Sequence, residues 1–370
     1  MLKILELFGG IGACSKALER LGIDYEIADY VEIDKYAVKS FNAIHNTNFE
    51  PQDITQWNKD IEVDLIMHGS PCQDFSLAGK QAGGDKDSGT RSSLMYETIR
   101  IVEKLKPKYV IWENVKNLLS KKHRHNFDAY LKTMESLGYI NYYQVLNAKD
   151  YGIPQNRERV FTVSVLNSGI LKDISFKFPP KQELKLKLKD MLEDKVDEKY
   201  YLSDNMIKYI SATGTANFKN PDCKINLDVA RPLTTAQNKR AGTTNYLCNE
   251  LPDNYDLKEL SYLLDFGSRG KLQNKDYCDT LTASMGTGGG NVPIYQKELR
   301  IRKLTPKECW RLMGFDDSDY EKASKVNSNA QLYKQAGNSI VVNVLEAILD
   351  NLLIKPKIDE EIDKLLEKID

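Results

Sequence analysis

Four short stretches carry residue types able to perform chemistry together. Gly69-Ser70-Pro71-Cys72-Gln73-Asp74-Phe75-Ser76 sets a cysteine beside a proline directly after an apolar run ending at His68. The thiolate, not the thiol, is the nucleophile, so Cys72 would need a local field that lowers its pKa. Glu113-Asn114-Val115 closes another apolar run, from Tyr109 to Trp112, which projects Glu113 at the same edge as Cys72. A partly dehydrated carboxyl there stays protonated or shares a proton with a ring nitrogen. In Gln155-Asn156-Arg157-Glu158-Arg159 one arginine ordinarily makes an internal ion pair; the alternative is donation to a carbonyl oxygen or phosphate. Finally, Leu7-Phe8-Gly9-Gly10-Ile11-Gly12-Ala13 lets backbone approach a ligand, and Glu32 follows at the distance where an acid accepts ribose hydroxyls. Ser15 occupies the third glycine position of the dinucleotide fingerprint, so an adenosine without phosphates fits better than NAD. Taken singly, each stretch has an ordinary structural reading: a packed turn, a small buried thiol, a helix-start carboxylate, an ion-paired arginine.

The elements that would position these residues alternate. A strand at Ile4 to Phe8, a glycine turn, a helix at Cys14 to Leu21 and a strand at Tyr25 to Val31 form a β-turn-α-β unit. Strand-like runs follow at Val63 to His68, Lys108 to Trp112, Tyr142 to Asn147 and Arg159 to Val165, with helical patterns at Ser93 to Leu105 and Phe127 to Leu137. Such alternation predicts an α/β fold with a parallel, doubly wound sheet and a ligand at the carboxyl ends of its strands. Past Phe178-Pro179-Pro180 the texture changes to lysine-rich and then Thr-, Asn- and Gly-rich sequence. The expected organisation is a first domain over 1–178 completed by about 322–354, a smaller irregular domain and hinge over 179–321, and a charged helical tail over 355–370. An apolar helical pattern resumes near Asn338 (Val341, Val344, Leu345, Ile348, Leu352) and is expected to pack back on the first sheet.

Composition bounds the partners. The chain has 370 residues, 41% of them hydrophobic, enough for a large core. With 52 Lys+Arg against 53 Asp+Glu the net charge is −1, so a polyanion would have to be held by local clusters. The six cysteines contain no C-x-x-C pair and the four histidines complete no zinc spacing, so no metal is expected. His123-Arg124-His125 reads as surface. No apolar run approaches the ~20 residues of a membrane span, which predicts a cytoplasmic protein without membrane contact.

In order and spacing, the Phe8-Gly9-Gly10-Ile11-Gly12, Gly69-Ser70-Pro71-Cys72-Gln73, Glu113-Asn114-Val115 and Gln155-Asn156-Arg157-Glu158-Arg159 stretches resemble the motif series of the cytosine-5 DNA methyltransferases. The series continues with Arg302-Lys303-Leu304-Thr305-Pro306-Lys307-Glu308-Cys309-Trp310-Arg311-Leu312-Met313-Gly314-Phe315 and Gln335-Ala336-Gly337-Asn338-Ser339. The resemblance runs from near Lys3 to about Leu353. Asp316 departs from it, because the family usually has proline after Gly-Phe.

The resemblance implies a Rossmann-like S-adenosylmethionine-dependent methyltransferase sheet with a smaller target-recognition domain. Phe8, Gly9, Gly10, Gly12, Pro71, Asn338 and Ser339 would surround S-adenosylmethionine, with Glu32 on the ribose, Ile33 against the adenine and Asp53 and Ile54 near its amino group. Cys72 would attack C6 of cytosine while Glu113 bonds N3 and the amino group and Arg159 bonds O2, with Arg157 supporting the site. C5 becomes enamine-like, takes the methyl group, and loss of its proton expels the cysteine, leaving S-adenosylhomocysteine. The target ring would have to leave the duplex. Gln73, Ser76, Arg240, Arg269, Lys271, Thr280 and Thr282 are the candidate DNA contacts. The partner implied is double-stranded DNA with a specific short sequence, bound by a monomer; the sequence leaves open whether a restriction endonuclease, which need not bind directly, accompanies it or it acts alone. Methylation of RNA cytosine, or DNA binding without catalysis, are the alternatives.

Overall fold

The computed structural model describes residues 1–71, 94–168, 175–203, 225–233, 245–248 and 300–355. A six-stranded sheet is built from β1 (Leu2–Leu7), β2 (Tyr25–Val31), β3 (Leu65–His68), β4 (Tyr109–Val115), β5 (Tyr139–Asn147) and β6 (Glu158–Leu166), in the order β2-β1-β3-β4-β6-β5. The helices α1 (Ala13–Arg20), α2 (Lys35–His45), α3 (Met95–Leu105) and α4 (Arg124–Ser136) connect its first five strands. Strands β1 and β3 are buried along almost their whole length, which is why they read as continuous apolar runs. Leu5, Leu7, Ile66, Val110 and Val160 share one core with Trp112, Phe127 and Tyr130.

The pairings β1–β2, β1–β3 and β3–β4 are parallel, whereas β6 pairs antiparallel with both β4 and β5. The expectation of a parallel sheet is therefore corrected to a mixed one. Between Asn147 and Glu158 the chain holds only a short 3-10 turn, Ala148–Tyr151, too little for a crossover helix. Strand β6 must consequently fold back beside β5, and it wedges between β5 and β4. Its first residues thus arrive at the edge where β4 ends.

By contact, residues 1–191, 229–237 and 306–370 make one compact unit; 192–228 and 238–305 make a second. In the first unit, α5 (Pro306–Arg311), α6 (Asp317–Ser324), α7 (Asn329–Asn338) and α8 (Val342–Leu349) return to the sheet. Helix α8 packs on α1, and α6 packs on α2. Val341, Val344, Leu345, Ile348 and Leu352 are all buried, as their spacing requires. The stretch Asn329–Ile354 has the length and mean hydropathy (1.4) of a membrane span, which corrects the expectation that no such run exists. It breaks at 339–341 and half of its most apolar window is buried, the behaviour of a core helix pair. In the second unit, the described residues include the short pair β7 (Tyr246–Leu247) and β8 (Arg302–Lys303), joined antiparallel.

Candidate active site and cofactor cleft

Register brings the chemistry-bearing stretches together. Leu7 lies beside His68 and His68 beside Trp112, so Phe8, Gly69 and Glu113, each the next residue, stand at one edge of the sheet. On the far side of β4, Glu113 faces Phe161 and Val115 faces Arg159. Glu113 and Arg159 are diagonal cross-strand neighbours on one face, and Arg159 Nε lies 3.0 Å from Glu113 Oε1. Both side chains are largely buried, so the pair is strengthened by the low local dielectric. Gly69 adjoins the pair: a Cβ there would lie at ordinary contact distance, 3.8 Å, from Glu113 Oε2.

The loop leaving β3 is anchored from β4. Trp112 Nε1 donates to Ser70 Oγ (2.9 Å) and Asn114 Nδ2 donates to the Ser70 carbonyl (3.3 Å). Beneath it, the His68 ring lies parallel to Trp112, with centroids 5.6 Å apart, and its Nε2 is 3.2 Å from the Tyr130 hydroxyl. Burial pulls the His68 imidazole down to about 3, so it is neutral, and its Nδ1 has no hydrogen-bond partner among the described residues. Cys72, Gln73, Ser76, Arg240, Arg269, Lys271, Thr280 and Thr282 lie outside the described residues.

After β1 the chain turns through left-handed conformations at Phe8 (φ 53°), Gly10 (φ 56°) and Gly12 (φ 81°). Gly12 is required, since a Cβ would fall 2.2 Å from His45 Nε2. A Cβ on Gly10, by contrast, would meet no atom of the described residues within 4 Å apart from its chain neighbours, so this peptide faces open space. Glu32 Oε2 accepts the Gly10 N–H (3.2 Å) and Oε1 accepts the Asp34 N–H (2.8 Å). Burial pushes the Glu32 carboxyl up, and those two backbone donors oppose the rise. A third wall comes from the α7–α8 corner. Arg157, itself buried, donates to the carbonyls of Gly337 (3.2 Å), Ser339 (2.9 Å) and Leu233 (2.9 Å).

These walls border a cleft that opens to solvent. Of the sequence-predicted residues, Phe8, Gly9, Gly10, Glu113, Asn338 and Ser339 line it. Glu32 reaches it through Gly10. Gly12, Ile33, Asp53, Ile54 and Pro71 do not line it. Ile54 belongs to the hydrophobic core, Asp53 accepts from Thr55 N and Oγ1 (2.9 Å each), and Ile33 is 69% exposed. The cleft also takes residues that sequence reasoning missed, notably Glu6, Met67 and Ile340. Glu6 did carry a signal, a carboxylate between apolar Leu5 and Leu7. It accepts from Ser15 N (3.0 Å) and from Ser15 Oγ, and burial lifts it to about 7. The reading of His123 as surface is corrected: it is buried at the start of α4, while Arg124 pairs with Asp128 (2.7 Å).

The donor set fits an adenosine-type group. Glu32 keeps lone pairs free for a diol, Gly10 leaves its ligand side open, and exposed Ile33 offers an apolar face next to Glu32. Among the described residues no His/Cys/Asp/Glu cluster is arranged to hold a metal ion.

Comparison with known proteins gives three findings. The profile of the C-5 cytosine-specific DNA methylase family matches residues 2–353. The chain is similar to the type II methyltransferase M2.ScrFI of Lactococcus lactis subsp. cremoris, at 34% identity over 95% of this chain and 99% of that protein. It is also similar to the orphan methyltransferase M.SPBetaI of Bacillus phage SPbeta, at 33% identity over 95% and 97% of the two chains. Among solved structures, the Entamoeba histolytica methyltransferase EhMeth superposes with a TM-score of 0.68 at 18% identity, covering 95% of this chain and 98% of that one. Schizosaccharomyces pombe Dnmt2 gives 0.65 at 19%, covering 96% and 99%. These two likenesses concern the fold.

Proposed function

The chain belongs to the C-5 cytosine-specific DNA methylase family and is by that membership a DNA (cytosine-5) methyltransferase, and we propose that it acts on one cytosine of a specific short sequence in double-stranded DNA through a covalent adduct of Cys72. The observation that carries this reading is the Glu113–Arg159 pair at the edge shared with the glycine turn. Arg159 holds one Glu113 oxygen, and the other lies near Gly69 at the cleft, which supports a role for Glu113 in hydrogen-bonding the N3 edge of a pyrimidine. In this reading Cys72 adds to C6, Glu113 supplies the proton or hydrogen bond at N3, and C5 becomes nucleophilic. S-adenosylmethionine, when bound, supplies the electrophilic methyl group. Glu32 and Gly10 would bind its ribose, Ile33 its adenine, and Asn338 and Ser339 would close the opposite wall. Departure of the C5 proton then releases Cys72 by β-elimination. The ring reaches both walls only outside the helix, at a cost of a few kcal/mol that occupancy of the pocket offsets.

The second unit, with the candidate contacts Arg240, Arg269, Lys271, Thr280 and Thr282, is assigned target recognition. The protein is taken to act as a monomer in the cytoplasm without a metal, releasing S-adenosylhomocysteine. Its relatives bear both type II and orphan names, so a restriction partner is not part of the proposal.

The experiment is covalent trapping on a duplex library containing 5-fluorocytosine, in the presence of S-adenosylmethionine. The native chain should give a complex that survives denaturation, and Cys72→Ser should give none. Glu113→Gln should slow its formation by about 10²–10⁴-fold, the usual worth of a positioned acid. Equal trapping by Cys72→Ser and the native chain would overturn the covalent reading.

A further inference from the structure

Tyr30 stands directly beneath the glycine turn and has no role in the chemistry described so far. It is fully buried on β2, opposite Glu6 of β1, and its ring stacks on Phe41 with centroids 3.8 Å apart. A Cβ on Gly9 would lie 2.6 Å from Tyr30 Cε2, so the ring forms the floor on which the turn rests. The Tyr30 hydroxyl donates to the Gly10 carbonyl at 2.6 Å. Two residues on, Glu32 accepts the Gly10 N–H. Both polar groups of one residue in left-handed conformation are thus held by one strand end, the N–H by a carboxylate and the carbonyl by a phenol.

We propose that Tyr30 is a positioning residue for the cofactor: through Gly10 it sets the orientation of the Glu32 carboxylate, so that binding a ribose diol and fixing the turn are one coupled event. This rests on the reading of the cleft as the S-adenosylmethionine site. The chain of contacts is short. Glu32 Oε2 spends one lone pair on Gly10 N and Oε1 one on Asp34 N, the Ile33 N–H also bonds the carboxyl, and the lone pairs that remain are those a diol can use. Their direction depends on where the Gly10 peptide lies. Gly10 has no side chain to hold it and its outer face is open, so Tyr30 Oη and Glu32 are what orient it. Burial, and the neighbouring acids Glu32, Glu6 and Asp34, keep the phenol protonated and hence a donor at any working pH.

The test is a double-mutant cycle of Tyr30→Phe and Glu32→Gln, read by calorimetric binding of S-adenosylhomocysteine and of its 2′-deoxy analogue, which needs no turnover. Tyr30→Phe keeps the ring and the stack, and a melting temperature close to that of the native chain identifies it as folded. Expected is weakening of S-adenosylhomocysteine binding by about fivefold to tenfold, the worth of one net hydrogen bond. The loss should be clearly smaller for the 2′-deoxy analogue and largely absent in the Glu32→Gln background. In turnover, KM for S-adenosylmethionine should rise with kcat nearly unchanged. If Glu32→Gln weakens binding and Tyr30→Phe does not, or if the two losses add independently, the inference is overturned while the site stands. If neither variant alters binding, the cleft is not the cofactor site and both readings fall. Should Tyr30→Phe fail to fold, Phe41→Leu, which loosens the ring beneath the turn, carries the same expectation of a selective loss on the diol-bearing ligand, and an equal loss on both ligands overturns the inference.

Discussion

Glu6 shows how much a single buried group can decide. It sits on β1 under the glycine turn, lines the cleft, and joins the strand to the first turn of α1 by accepting from Ser15. A carboxylate near a helix N-terminus is favoured by the macrodipole, yet removal from water dominates, and the group is lifted to about 7. The sign of the linkage follows. A folded value raised above the unfolded one means the native state holds the extra proton, so the stability from Glu6 is fully present below about pH 4.5 and is lost as pH climbs through 7. Glu6→Gln keeps an acceptor for Ser15 and removes the titration. The stability difference between variant and native chain, from urea melts at fixed temperature, is therefore expected to shift in the variant's favour across pH 4.5–7. The size is on the order of 3 kcal/mol, with no change above that window. A difference independent of pH would show that burial does not raise Glu6 above its unfolded value. The double comparison also removes His68, whose value of about 3 acts in the opposite sense, costing stability as pH falls below 6.5.

At the level of elements, the glycine turn, β1, β2 and the strand end at His68 were legible because each has a local signal, an apolar run closed by glycine or by a polar residue. The strand expected to end at Trp112 instead runs on through Glu113 to Val115, where pairing with β6 extends it. The direction of β6 was not legible from alternation. Only the short Asn147–Glu158 link marks it, and that reversal is what places Arg159 against Glu113. The role of Asp316 was equally hidden, because its partners lie some 300 positions away. Where the family usually has proline, Asp316 instead pairs with Lys16 (2.8 Å) and Arg20 (2.5 Å) of α1 and donates its N–H to Asp319 at the start of α6. Lys16 is 4% exposed and Asp319 3%, at 3.1 Å, so this is a buried ionic joint between the first helix and the C-terminal segment. Burial lowers the Lys16 value, but Asp316, Asp319 and Glu19 outweigh it and the ammonium stays charged. Removing one side of such a joint leaves an uncompensated charge. Lys16→Ala is expected to cost about 3–5 kcal/mol in chemical denaturation, whereas Lys16→Met with Asp319→Leu recovers most of it. If the single and double variants are equally unstable, packing and not charge holds the joint.

For the whole molecule, the decisive quantity is the charge balance. With a net charge of −1 the chain as a body does not attract DNA, so affinity for a duplex must come from a few placed cations. The residues singled out for this, Arg240, Arg269 and Lys271, fall in the Thr-, Asn- and Gly-rich middle of the sequence. Residue type there names donors without fixing which base edge each would meet, since that depends on loop geometry; recognition was therefore the least legible part. Counterion release nevertheless separates positioning contacts from reading contacts. A cation on a phosphate contributes roughly one unit to the slope of log K against log salt on any duplex, while a residue reading a base edge changes the preference between sequences. Charge removal at Arg240, Arg269 and Lys271, one at a time, is expected to lower that slope by about 1 each. The measurement is fluorescence anisotropy on the methylated sequence and on scrambled duplex from about 50 to 200 mM salt. Where the slope falls equally on both duplexes, the residue holds backbone; where affinity falls on the methylated sequence alone, it reads a base. Unchanged slopes in all three variants would move the DNA-binding cations elsewhere and with them the assignment of the second unit.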